Sequence, residues 1–237
     1  MGRTGDKRGV HRKRAELLIR QEVYLLFQGG KAALRRGHLR DAEESLRKVL
    51  SIEPMHRAAL AALGELHLRR DDYAGACEYL ERAIDAGDRS EHLLYLTANA
   101  CRGAQRREKA FKYLEQLVEQ NPGHVRGATR LGEAYLARKD FERARALFAQ
   151  ALEIDSRNLY ALRGLAAALR GKRDYRAAIA VYEELLRQDP GDNRVIVRLA
   201  EAYAHEGDAS NARRAYHLAL QVDPENHYAK EGLSQLA

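Results

Sequence analysis

The sequence has no tryptophan, only two cysteines and only four prolines among its 237 residues. It also has no apolar run long enough to span a bilayer. Each scarcity excludes something. Two cysteines cannot build a disulfide framework, and Cys77 and Cys101 lack zinc-ligand spacing, so both are expected to be buried structural thiols in a reducing, cytoplasmic setting. The first twenty residues are basic but lack the apolar segment and small-residue cleavage site of a secretory leader. Asp6 stands where N-myristoylation would want Ser or Thr. The nine histidines contain no pair at i, i+3 or i, i+4, which removes a helical metal site. The stretch "GGKAALRRG" at 29–37 lacks the spacing and the Ser/Thr of a phosphate-binding loop. No catalytic residue, metal or cofactor is expected, and the chain does not read as an enzyme.

Charge is unevenly placed. Residues 1–20 carry seven Lys/Arg against Asp6 and Glu16, so +5 of the chain's net +7 lies in this segment and the remainder is nearly balanced. Residues 1–11 are expected to be a disordered basic tail. Contact of residues 1–20 with nucleic acid or an anionic membrane would rest on charge alone, because no aromatic residue interleaves the basic ones. Such an adaptor role is the weakest of the functional alternatives.

The four prolines are what organise the chain. Pro54, Pro122, Pro190 and Pro224 are separated by 68, 68 and 34 residues. Proline lacks an amide proton and its ring clashes with the preceding helical turn, so four breakers in one register mark equivalent inter-helix turns. A 34-residue grid starting at Val23 gives six units without insertion or deletion: 23–56, 57–90, 91–124, 125–158, 159–192 and 193–226. Position 20 is alanine in all six (Ala42, Ala76, Ala110, Ala144, Ala178, Ala212). Position 8 is always small (Gly30, Gly64, Ala98, Gly132, Ala166, Ala200), and position 24 always large (Leu46, Leu80, Leu114, Phe148, Tyr182, Tyr216). Small residues belong where two helix backbones approach closely, and large ones fill the space they leave. Apolar stripes around positions 4–11 and 20–27 have helical period, so each unit is read as two helices. Asp72, Asp140, Asp174 and Asp208 are placed to cap the second helix.

This pattern resembles the tetratricopeptide repeat, with Leu131, Gly132, Tyr135, Ala144 and Phe148 in the fourth unit and Tyr203, Ala212, Tyr216 and Pro224 in the sixth. The resemblance covers 23–226. It departs at the missing tryptophan, at Asp88 and Ser156 where proline would sit, and at Cys101 in place of tyrosine. It implies an all-α fold, a right-handed superhelical α-solenoid over 12–226, with 227–237 as a C-terminal capping helix and about thirteen helices in total.

It also implies function through surfaces. In this family the first helices line a concave groove, which here would carry His92, Tyr95 and Asn99 in the third unit. The fourth would contribute Arg126, Thr129, Arg130 and Glu133. The fifth would add Tyr160, Arg163, Ala167 and Arg170, and the sixth Arg194, Val197, Arg198 and Glu201. A basic groove of this kind would bind a protein or peptide with an acidic or C-terminal carboxylate segment. Glu65, Glu133 and Glu201, all at position 9, would partly neutralise it. The carboxylate clamp that a subclass uses on chaperone C-termini is absent, because Ala61, Glu65 and Leu96 occupy the clamp positions. The second functional reading is a self-assembling scaffold. Leu18, Ile19, Val23 and Leu26 are its contact residues, since the first helix starts upstream of the grid and is apolar on two sides. Bacterial magnetosome-associated tetratricopeptide proteins are similar in size and repeat count, although no residue is diagnostic of them.

Overall fold

The computed structural model describes residues 5–236, with side chains from residue 11. Thirteen helices and no strand occur among the described residues. In order they are α1 (Gly5–Arg36), α2 (Leu39–Ile52), α3 (Arg57–Leu68), α4 (Tyr73–Asp85), α5 (Glu91–Gly103), α6 (Arg107–Gln120) and α7 (Val125–Ala137). There follow α8 (Phe141–Ile154), α9 (Leu159–Gly171), α10 (Tyr175–Gln188), α11 (Asn193–His205), α12 (Ala209–Val222) and α13 (His227–Gln235). The chain divides into two compact units, the first ending at Gln116 and the second starting at Leu117. In the first, α1 packs on α2, α3 on α4, and α4 on α5. In the second, the hairpins α7–α8, α9–α10 and α11–α12 stack in order and α13 closes against α12.

The hairpin turns are one structure used six times. Position 15 of every unit has a positive φ: Gly37 (80°), Asp71 (57°), Gln105 (61°), Lys139 (61°), Arg173 (62°) and Gly207 (81°). The following amide then reaches back to the carbonyl of position 11, at 2.8–3.0 Å, as in Asp140 to Tyr135 and Asp208 to Tyr203. This left-handed residue with a six-to-one hydrogen bond is the helix stop that glycine usually supplies. Four units make it without glycine, at a steric cost of roughly 1–2 kcal/mol for a side chain in this region.

The second helix begins at once. The side chains of Asp72, Asp140, Asp174 and Asp208 accept from the amides of Gly75, Arg143, Ala177 and Asn211 at 3.0–3.1 Å, as the sequence predicts. A second row of caps escaped the sequence reading. Position 34 starts the next unit's first helix, through His56 Nδ1, His124 Nδ1, and the side-chain oxygens of Asn158, Asp192 and Asn226. Each such cap satisfies amides that a helix start leaves unpaired, an effect typically of about 1 kcal/mol.

Packing follows the small-to-large register. All six position-20 alanines are buried. A Cβ added at Gly30 would meet Leu46 Cγ at 2.9 Å, and one at Gly132 would meet Phe148 Cζ at 2.8 Å. Phe148 is also lodged against Gly164 of the following unit, as Tyr216 is against Gly232 of α13. The proline turns are tied in too. Arg82 donates to the Pro54 carbonyl (3.2 Å) and Gln150 to that of Pro122 (2.8 Å), each from position 26 of the following unit.

Two expectations need correction or amendment. Cys77 on α4 and Cys101 on α5 are both fully buried, but they are joined as a disulfide with Cα atoms 5.2 Å apart, rather than standing as separate thiols. Spacing along the chain concealed this, because the pairing depends on how adjacent repeats stack. Helix α1 starts at Gly5 and runs unbroken to Arg36, so residues 5–11 of the expected tail are helical and residues 1–4 lie outside the described residues. The C-terminal part of α1 forms the first hairpin with α2, so Val23 is buried in the core of its own chain and Leu26 packs against that core, while Leu18 (59%) and Ile19 (47%) remain exposed.

Two stability measurements test this architecture. Ala144→Leu should lower the urea midpoint by an amount equivalent to about 1–3 kcal/mol, while Ala137→Leu on the exposed end of α7 should change it little. Equal midpoints would overturn the register. Lys139→Gly should raise stability by about 0.5–1 kcal/mol, because relief of the left-handed strain exceeds the added chain entropy. Gly207→Ala should lower it, although space for the methyl group is free there.

Candidate arginine-lined peptide site

On α9, Arg163, Ala167 and Arg170 follow each other at spacings of four and three, so they share one helix face. On α11, Arg194 and Arg198 do the same. The two faces meet over α10, where Tyr182 and Leu185 form the floor. Together with Asp192 and Val195 these residues line a cavity of about 420 Å³. The three sequence-predicted arginines Arg163, Arg194 and Arg198 are thus brought to one place. Arg170 completes the set.

Asp192 organises the rim. Its Oδ1 accepts from the amides of Arg194 (3.1 Å) and Val195 (3.2 Å), capping α11, while its Oδ2 takes Arg163 Nη2 at 2.8 Å. Arg198 is held by Glu201 at 2.7 Å, one turn along α11. Arg170 and Arg194 carry no ion pair or side-chain hydrogen bond to another described residue. Four guanidinium groups therefore face one lining carboxylate. Tyr182 is 5% exposed, and burial pushes its phenol above its usual range, against the opposite pull of the Arg170 and Arg198 charges.

The position-9 glutamates explain why the cavity has this charge. Glu133 pairs with Arg130 (2.9 Å) and Glu201 with Arg198 (2.7 Å), so each offsets an arginine, while Glu65 lies 3.7 Å from His92. The fifth unit has Ala167 at that position, so Arg170 meets no carboxylate on its own helix, although Arg163 is taken by Asp192.

The other expected groove residues are distributed as follows. Arg126 is exposed on α7, and Tyr160 (73% exposed) lies on α9 outside the cavity. His92 is exposed on α5 in the first unit, where Tyr95 and Asn99 are half-buried. Thr129 and Val197 are not groove residues at all. Both are buried, and Thr129 donates to the Val125 carbonyl at 3.0 Å. Sequence reasoning missed Tyr182 and Leu185 as the floor, since position 24 reads only as core. It also missed Asp192, whose signal was its place immediately before a helix.

Among the described residues, one group of three metal-capable side chains occurs, Cys77, Glu81 and Cys101, and both sulfurs are committed to the disulfide. No described helix is long and apolar enough to cross a membrane.

Comparison with known proteins bears on this geometry. Tetratricopeptide repeat models match residues 27–91, 102–169 and 169–236. The heat shock protein STI1 of Saccharomyces cerevisiae is 33% identical over 95 residues, which are 40% of this chain and 16% of that protein. The chain thus spans less than a fifth of the length of the curated relatives it matches. A tetratricopeptide repeat protein from Parabacteroides merdae superposes with a TM-score of 0.66 at 20% identity, covering 91% of this chain and 92% of its own. YrrB, described as a tetratricopeptide repeat protein with an unusual peptide-binding site, has a TM-score of 0.52 at 16% identity, covering 88% and 90%. With matched models over more than half its length and the same hairpin architecture, the chain belongs to the tetratricopeptide repeat family.

Proposed function

We propose that this protein is a non-enzymatic interaction module that holds a negatively charged peptide segment of a partner protein in the α9–α11 cavity. The tetratricopeptide repeat is a protein–protein interaction fold, which gives the class of activity. The observation that carries the finer reading is that four arginines line a single concave site while Asp192 and Glu201 meet only two of them. Arginine forks bind carboxylates through paired hydrogen bonds, and Tyr182 with Leu185 supplies an apolar floor. The peptide-binding site named for YrrB is consistent with this use of the fold.

The second reading is self-association through α1. It is favoured by one observation: Leu17 (64%), Leu18 (59%), Tyr24 (61%) and Leu25 (61%) are exposed along the same helix. Large apolar side chains exposed together on one helix are a mark of interaction surfaces.

Each reading has its measurement. Fluorescence anisotropy with an Asp- and Glu-rich peptide should show binding that is weakened at least about tenfold by Arg194→Glu with Arg198→Glu, with helicity unchanged, and that is absent for the Asn/Gln version of the peptide. High salt should weaken it as well, since exposed charges are screened over about 8 Å at physiological ionic strength. Affinity indifferent to charge reversal would overturn the site. Light scattering on the full chain should show a dimer or larger species that Leu18→Glu with Leu25→Glu dissolves. A monomer at high concentration would remove the second reading.

A further inference from the structure

The four arginines are not equivalent. Arg163 is bound to Asp192 and Arg198 to Glu201, so their charges are already met within the fold. Arg170 and Arg194 are left with two unmet positive charges beside a buried floor. Two of the amides at the start of α11, those of Arg194 and Val195, are already taken by Asp192. Tyr182 adds a neutral donor. It is 5% exposed, it lines the cavity, and its hydroxyl makes no hydrogen bond to another described residue. That hydroxyl is therefore uncommitted within the fold and available to an occupant.

An occupant that satisfies this set needs about two negative charges and at least three acceptor atoms. One carboxylate has a single charge and two oxygens, and would leave a guanidinium unmatched. A phosphate monoester carries about −1.5 to −2 charges at neutral pH and three strong acceptor oxygens. It can take paired hydrogen bonds from one arginine, a further bond from the second, and one from a phenol. Resting on the peptide-binding reading above, we propose that the α9–α11 cavity is selective for a phosphorylated side chain of its partner peptide, gripped by Arg170, Arg194 and the Tyr182 hydroxyl.

The test compares three versions of one acidic-flanked peptide, carrying phosphoserine, glutamate or serine at its centre, with free phosphoserine as a fourth ligand. The full-length protein is used throughout. The phosphoserine peptide should bind at least about tenfold tighter than the glutamate peptide, as the stronger charge-assisted bonds require. Arg170→Gln with Arg194→Gln should abolish that advantage: both peptides bind more weakly, and the phosphoserine peptide loses at least about tenfold more affinity than the glutamate peptide. Tyr182→Phe keeps the core volume and should reduce the phosphoserine advantage alone. Circular dichroism on each variant confirms retained helicity. Equal affinity for phosphoserine and glutamate peptides would overturn the phosphate assignment and leave the acidic-peptide site standing. Free phosphoserine binding as tightly as the peptide would overturn the peptide as its carrier. An advantage untouched by all three substitutions would place the phosphate elsewhere and overturn the proposal. Failure of all peptides to bind would overturn the underlying site as well.

Discussion

The contact between the eighth and twenty-fourth residues of each repeat sets the distance between the two helices of a hairpin, and most of the remaining structure follows from that distance. Where position 8 is glycine, as at Gly30, Gly64 and Gly132, the large residue at 24 reaches onto the facing backbone. Overpacking at such a contact moves helices apart, since protein interiors have no slack to absorb a methylene. The aromatic variants carry the constraint forward. Phe148 lies against Gly164 and Tyr216 against Gly232, so at these two joints the residue at position 24 is matched to a glycine at position 6 of the next unit. The same contact places Tyr182 at the base of the arginine cavity, where a residue chosen for packing also presents a hydroxyl.

Much of this was legible in the sequence because a repeat is its own alignment. Six copies reveal which positions tolerate only alanine or only small residues, and those positions are the buried ones. The prolines marked the turns, and Asp72, Asp140, Asp174 and Asp208 announced the second helices. What stayed hidden has physical causes. The left-handed residue at position 15 is Gly in two units and Asp, Gln, Lys or Arg in the others, so side-chain chemistry gives no common signal for a backbone geometry. The caps at position 34 include two histidines, which cap less often than Ser or Asp. The disulfide and the burial of Thr129 and Val197 depend on how neighbouring hairpins seat against each other. A single unit's pattern does not encode that.

Electrostatics in the candidate site is a matter of which repeat omits a neutralising residue. Glu133 and Glu201 sit one turn beyond Arg130 and Arg198 and pair with them. The fifth unit has Ala167 at the equivalent position, which leaves Arg170 without a carboxylate on its own helix. The arginines that line this cavity were named from the sequence, but its floor, Asp192 and the inequality of the arginines were not. That inequality depends on Asp192, which divides its two oxygens between a helix start and Arg163.

The Cys77–Cys101 bond changes how the first unit comes apart. A stack of hairpins behaves as a nearly one-dimensional array, in which each joint between neighbours opens with its own free energy and damage can spread stepwise from an end. Across α4 and α5 the joint is covalent. While the bond is intact, fraying that begins at α1 and passes through the first two hairpins cannot release the second from the third. The crosslink restricts the freedom the second hairpin gains by opening while the third stays folded, so the oxidation state of a fully buried sulfur pair sets how independently these two hairpins can open.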